Sequence, residues 1–127
     1  ALATVEEIDE LNILEATKLS MKRVIDKFNN PNASLIIDGN FNLNYNNIDE
    51  KSFIGGDKIS LSIATASIIA KVHRDRLMSI LDNKFQQFGW RQNAGYGTKK
   101  HIYAIKKKGP TIFHRKSFEP IKSLINN

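Results

Sequence analysis

Hydrophobic positions come in short bursts along the chain, and their spacing separates helices from strands. Thr4-Val5-Glu6-Glu7 has the form of a capping box, in which the Thr4 hydroxyl accepts from the Glu7 N–H and the Glu7 carboxylate reaches back. Leu14, Thr17, Met21, Val24 and Phe28 then recur three and four apart, which predicts a helix with one apolar face. Asn29-Asn30-Pro31-Asn32 ends it, because proline cannot continue a helix and draws its predecessor towards extended geometry. Ser34-Leu35-Ile36-Ile37 reads as a short buried strand, closed by the turn chemistry of Asp38-Gly39-Asn40. The Asn-rich stretch from Phe41 to Asn47 reads as a loop, and Phe53-Ile54 before Gly55-Gly56 as a second short strand.

The longest helical segment runs from Ser62 to about Phe85. Its first half, Ile63 to Ala70, is apolar or small nearly all round, which predicts close packing under a sheet with Asp75 emerging at the rim of the core. Gly89 is a stop, and Gln92 to Gly97 reads as a loop. Thr98 reads as the cap of a short basic helix from Lys99 to Lys108, ended by Gly109-Pro110. A last short helix is expected after Glu119. There is no repeat and no linker, so residues 1–127 are expected to form a single domain.

Composition narrows the partners. Nineteen Lys and Arg stand against thirteen Asp and Glu, a formal charge of +6, which favours polyanions. The absence of cysteine excludes a disulfide framework and thiolate metal sites, and fits a reducing cytoplasm. No apolar run approaches the roughly 20 residues that span a bilayer, so no membrane partner is expected.

Three carboxylates merit consideration. Asp38 ends a strand and points out of the sheet edge, where α/β folds place their sites, and could hold Mg²⁺ or Mn²⁺. The same residue can instead open a turn by bonding its own backbone. Asp75 lies one helical turn from Lys71, so a surface pair competes with a role at the rim of the core. Asp57, after two glycines, reads as a cap or turn residue. Gly95-Tyr96-Gly97-Thr98 sets an aromatic on a flexible loop, able to stack on a base or to pack on the domain edge. Thr98 and the helix start could hold a phosphate, with Lys99, Lys100, Lys106, Lys107 and Lys108 as counter-charge or as a solubilising face. His101 and His114 lack metal-ligand spacing, and a structural or phosphate-contact role is expected of His114. No Ser-His-Asp arrangement, Walker loop or dinucleotide glycine motif points to another enzyme class.

These fragments occur in the order found in one family. Glu6 to Thr17, Ile36-Ile37-Asp38-Gly39-Asn40, Gly55-Gly56-Asp57-Lys58, Ser62 to Arg76, Gly95-Tyr96-Gly97-Thr98 with His101, and Gly109-Pro110 with His114-Arg115-Lys116-Ser117-Phe118 resemble the type 2 ribonucleases H, the bacterial ribonuclease HII group. The resemblance runs from about Thr4 to Pro120. It implies an α/β, RNase H-like fold: an incomplete mixed sheet flanked by helices, with a helical C-terminal part. It also implies two-metal hydrolysis with Mn²⁺ or Mg²⁺, with Asp38 and Asp75 as catalytic and metal-binding carboxylates. Tyr96, Lys71, Asn40 and Thr98 would bind substrate, a nucleic acid that is an RNA–DNA hybrid or a duplex containing a ribonucleotide. A monomer in the cytoplasm is expected.

One departure is large. The family carries a strand with Asp-Glu-x-Gly-Arg-Gly, but neither Asp9-Glu10 nor Asp49-Glu50 continues in that way, and no Gly-Arg-Gly occurs. The chain is therefore expected to be the C-terminal portion of a catalytic domain and to be inactive alone. A non-catalytic nucleic-acid-binding module of the same fold is the competing expectation. Smaller departures are Gln92-Asn93-Ala94, where the family often has His-Lys, and His73 before Arg74.

Overall fold

A computed structural model of the chain describes residues 1–28, 30, 32–45 and 48–125. The helices are α1 (Val5–Leu11), α2 (Ile13–Phe28), α3 (Leu61–Lys84), α4 (Trp90–Asn93), α5 (Lys99–Lys108) and α6 (Ile121–Ile125), and the strands are β1 (Leu35–Asp38) and β2 (Glu50–Phe53). The fold is α/β, as expected. The chain forms two compact units, one of residues 1–3 and 11–70, the other of residues 4–10 and 71–127.

In the first unit, β1 and β2 pair in parallel, with Leu35 opposite Glu50 and Asp38 opposite Phe53. Gly39 N–H continues the ladder by donating to the Phe53 carbonyl at 2.9 Å. The second strand thus starts earlier than the Phe53-Ile54 expected for it and shares only Phe53 with it, and Ile54 is exposed. Its polar residues are used by the preceding loop. Glu50 accepts from Leu43 N–H and Asn44 N–H, each at 3.2 Å, while the Ser52 hydroxyl donates to the Phe41 carbonyl. A polar strand of this kind leaves no alternating apolar signal. Ala16, Ile37, Leu43 and Ile63 are buried, whereas Ile36 is exposed, so β1 is covered on one face only.

Helix formation follows the local signals, with two differences. Thr4 and Glu7 form the expected reciprocal cap, Thr4 N–H donating to the Glu7 carboxylate at 2.8 Å and Glu7 N–H to the Thr4 hydroxyl at 3.3 Å. The helix does not run on from there. Asn12 turns left-handed (φ 72°), and its Oδ1 accepts from Leu14 and Glu15 N–H, starting α2 afresh. On α2 the expected apolar face is not the buried one: Leu14, Val24 and Phe28 are exposed, and Ala16 is buried. Asn29 and Pro31 of the expected stop, and Asn46 and Asn47 of the expected loop, lie outside the described residues.

The predicted burial of the first half of α3 is overturned. Leu61 is 83% exposed, Ile68 64% and Ile69 54%; only Ile63 is buried. The composition of this segment asks for cover on several sides, and burial depends on what packs there, which periodicity cannot supply.

In the second unit, Phe88, Trp90, Ala104, Ile105 and Ile121 form the core, with Met78, Leu81 and Phe85 against them. Phe85 meets Trp90 edge-on, with ring centroids 5.7 Å apart. Gly89 (φ 63°) ends the turn before it, as expected of a stop, yet α4 follows at once where part of a loop was expected. Thr98 caps α5 by accepting from His101 N–H at 3.3 Å, and Gly109 closes it with a bond to the Ile105 carbonyl. The short final helix after Glu119 is α6.

Candidate nucleic-acid and metal-binding residues

In the first unit, Asp38 ends β1 and is exposed. Its Oδ1 accepts from the Gly56 N–H at 3.0 Å, which fixes the carboxyl orientation across the end of the sheet. The other oxygen has no hydrogen-bond partner among the described residues. Two glycines make this arrangement possible. Gly55 adopts a left-handed conformation (φ 67°), and a Cβ on Gly56 would lie 2.6 Å from Ile63 Cδ1. Asn40 is exposed in the turn that follows Asp38. Asp57 sits in the short 3₁₀ turn after Gly56, consistent with a turn residue.

In the second unit, Asp75 is half-buried and pairs with Lys71, Nζ to Oδ2 3.2 Å, one turn earlier on α3. It borders an open depression of about 550 Å³ lined by Val72, Asp75, Arg76, Ser79 and Ile80. One residue away, Arg74 donates to the Ala94 carbonyl at 3.0 Å and so ties α3 to the loop that presents Tyr96. Asn93 organises that loop. Its Nδ2 donates to the Phe88 carbonyl at 2.7 Å, its Oδ1 accepts from Gly95 N–H at 2.9 Å, and its carbonyl accepts from Tyr96 N–H at 2.8 Å. Thr98 N–H bonds back to the Tyr96 carbonyl, and the Tyr96 ring is 72% exposed. The loop backbone is held while its aromatic ring is left to solvent, a geometry suited to stacking on a base or sugar.

The expected site residues thus fall into two sets, Asp38 with Asn40 in one unit and Lys71, Asp75, Tyr96 and Thr98 in the other. Among the described residues no three His, Asp or Glu side chains cluster as a cage for a metal ion. The carboxylates are hard oxygen donors suited to Mg²⁺ or Mn²⁺, but they would need further ligands or waters to complete a coordination shell.

The family model for ribonuclease HII matches residues 2–121. The chain belongs to the ribonuclease HII family. It is 54% identical over 123 residues to a ribonuclease HII from Macrococcus caseolyticus, covering 97% of this chain and 46% of that protein. It is 50% identical over 123 residues to one from Wolbachia pipientis, covering 97% and 62%, and 49% identical over 126 residues to one from Orientia tsutsugamushi, covering 99% and 60%. The chain spans about half to three-fifths of the length of these curated relatives.

Two of the three histidines, His101 and His114, are buried together. His101 and His114 stack with ring centroids 5.3 Å apart, against Phe88 and Trp90. His101 Nδ1 lies 2.9 Å from the Phe88 carbonyl. His114 Nδ1 accepts from Thr111 N–H at 2.9 Å, which places the proton of the neutral ring on Nε2. That nitrogen is buried without a hydrogen-bond partner among the described residues. Burial of the ring, reinforced by neighbouring His101, pushes the His114 pKa down to about 4. Such an imidazole stays neutral near pH 7 and serves packing, as expected of a structural histidine.

Asp9 has a role that its neighbours in sequence do not show. Its carboxylate accepts from the N–H groups of Lys116 and Ser117 and from the Ser117 hydroxyl, shaping the His114-Arg115-Lys116-Ser117-Phe118 segment. Arg115 lays its guanidinium 3.8 Å from the centre of the Phe118 ring. The only local signal was an Asp-Glu pair, and such pairs are common on helices.

Proposed function

We propose that the protein to which this chain belongs is a metal-dependent endoribonuclease. It cleaves the RNA strand of RNA–DNA hybrids and incises 5′ of single ribonucleotides in duplex DNA. The observation that carries this reading is Asp38, a carboxylate exposed at the end of β1, oriented by the Gly56 N–H and with one oxygen left available. Membership of the ribonuclease HII family supports it. The 127 residues would be one portion of a single catalytic domain, working as a monomer in the cytoplasm. Among the described residues no helix is long and apolar enough to cross a membrane.

Asp38 and Asp75 would hold the divalent ions, Mg²⁺ or Mn²⁺. When bound, these ions supply a water of lowered pKa and neutralise charge that develops on the phosphate. Hydrolysis would add water across the bond from phosphorus to the 3′-oxygen: the water oxygen would bond to phosphorus as that bond breaks, and the proton it gives up would be balanced by protonation of the 3′-oxygen, leaving a 3′-hydroxyl and a 5′-phosphate. Lys71 balances the Asp75 charge and can turn to a substrate phosphate. Tyr96 stacks beside the ribonucleotide, where the 2′-hydroxyl distinguishes ribose from deoxyribose. Asn40 and Thr98 add hydrogen bonds to the backbone.

With two such carboxylates, the 127 residues alone are expected not to cleave. The decisive experiment joins this chain to the part of the Macrococcus protein that the match leaves out, and supplies Mn²⁺ and a duplex with one ribonucleotide. Incision at that ribonucleotide is expected, with a loss of at least a hundredfold on Asp38→Asn or Asp75→Asn. No incision, or incision untouched by both substitutions, would overturn the proposal.

A second reading is a non-catalytic nucleic-acid-binding module, favoured by the exposed Tyr96 beside a basic helix. It predicts hybrid binding that survives both Asp→Asn substitutions and needs no metal.

A further inference from the structure

Helix α5 has the sequence Lys-Lys-His-Ile-Tyr-Ala-Ile-Lys-Lys-Lys, five lysines and no acidic residue. Its inner face is settled: His101, Ala104 and Ile105 are buried. At roughly 100° per residue, Lys99, Lys100, Tyr103, Lys106 and Lys107 fall within an outer arc of about 120°. Tyr103 lies at the centre of this arc, 61% exposed, with a lysine three or four positions away on each side. Lys107 Nζ stands 5.6 Å from the centre of the Tyr103 ring, which holds one ammonium against the aromatic face.

A solvated helix face ordinarily mixes signs, with Glu or Asp one turn from Lys. This face does not. Lys106, Lys107 and Lys108 suit the C-terminal end of a helix, but Lys99 and Lys100 occupy the first turn, where the dipole disfavours cations. Among the described residues none of these five lysines has an acidic partner. Four like charges around one exposed ring repel one another unless a polyanion neutralises them.

We propose that the face of α5 formed by Lys99, Lys100, Tyr103, Lys106 and Lys107 seats the phosphate backbone of a nucleic-acid duplex. The proposal rests on the nucleic-acid reading above and adds a contact that none of Asp38, Asn40, Lys71, Asp75, Tyr96 and Thr98 makes. The lysine pairs stand roughly 10 Å apart along the helix. A B-form strand presents a phosphate about every 3.4 Å of its axis, so two or three consecutive phosphates lie within reach. Lysines at these positions read charge and spacing, not base identity.

The test is binding of the 127-residue chain to a plain DNA duplex in EDTA, titrated over a range of salt. Each lost phosphate contact lowers the slope of log K against log salt by roughly 0.9, so changing all four lysines to Gln, which removes two or three such contacts, should lower it by about 2 to 3. Replacing the same four by Arg should keep the slope. A control variant changing Lys51, Lys58 and Lys84 to Gln should leave it nearly unchanged. The inference is overturned by an unchanged slope in the Gln variant, by an equal loss in the control, by tighter association with anionic phospholipid vesicles than with the duplex, or by no duplex binding at all. Because this assay needs neither metal nor a ribonucleotide, it can fail while the cleavage reading stands, and the reverse.

Discussion

Asp9 and Ser117, 108 residues apart, are joined through a single carboxylate oxygen: the Ser117 N–H donates to Asp9 Oδ1 at 2.9 Å and the Ser117 hydroxyl at 2.5 Å. The second oxygen accepts from Lys116 N–H at 2.8 Å. Desolvation raises the Asp9 pKa, but these hydrogen bonds from Ser117 and Lys116 together outweigh it and hold the carboxyl below its usual value.

Removing this clamp should cost stability. Asp9→Ala is expected to lose roughly 1–2 kcal/mol and Ser117→Ala about half of that. Because the folded pKa is depressed, the contribution is present above the unfolded value of about 3.9 and is lost as pH falls through the folded one. Urea unfolding at pH 7 should separate Asp9→Ala from the parent, and the gap should narrow at a pH well below the unfolded value of about 3.9. An equal gap at both values would mean that the carboxylate charge contributes nothing.

His114 sets a different acid window. Its folded pKa of about 4 lies below the ordinary value of 6.5, so the unfolded chain binds the extra proton between these limits. Stability should therefore fall as pH drops from about 6.5 to about 4, by up to roughly 3 kcal/mol, and this group should add no further loss below that. His114→Phe should flatten the dependence across that window, whatever it does to stability at pH 7. A titration of unfolding free energy against pH reads both.

Gly56 couples packing to the orientation of Asp38. Gly56→Ala would drive a Cβ into Ile63 Cδ1 and should cost about 1–3 kcal/mol. Ile63→Val removes that methyl, so the double variant should be less destabilised than the sum of the two single ones. Additive losses in thermal unfolding would show that the close approach is relieved elsewhere.

Tyr96 should behave as a contact residue, since its ring is largely in water. Tyr96→Ala is expected to change stability by less than about 0.5 kcal/mol. It should weaken binding of a ribonucleotide-containing duplex tenfold or more, corresponding to about 1–3 kcal/mol of stacking. Tyr96→Phe should bind nearly as the parent does. Fluorescence anisotropy alongside a melting curve distinguishes the two effects.

Much of the fold was legible because its signals are local. The Thr4–Glu7 box, the Thr98 cap, the Gly109 stop and the long α3 each depend on residues within a turn or two of one another. Asn12 was harder, since a left-handed Asn inside a helical pattern resembles any polar surface position. β2 was legible only at its last residue, Phe53, because Glu50 and Ser52 satisfy loop backbone instead of alternating with apolar residues. The Asp9 clamp was invisible for a different reason: nothing near Asp9 in sequence indicates a partner more than a hundred residues on. The candidate site was half legible. The strand end and the glycine-flanked tyrosine announced Asp38 and Tyr96, whereas the Gly56 N–H on Asp38 and the Asn93 brace under Tyr96 follow from tertiary folding.

The exposed flank of α3 has a calorimetric consequence. The heat capacity of unfolding counts only apolar surface that becomes newly wetted, and Leu61, Ile68, Ile69 and Ile80 are each more than half wetted already. These side chains add little to it when the chain melts. A negative heat-capacity change from these side chains would accompany only an event that covered them, not the folding of the chain that carries them.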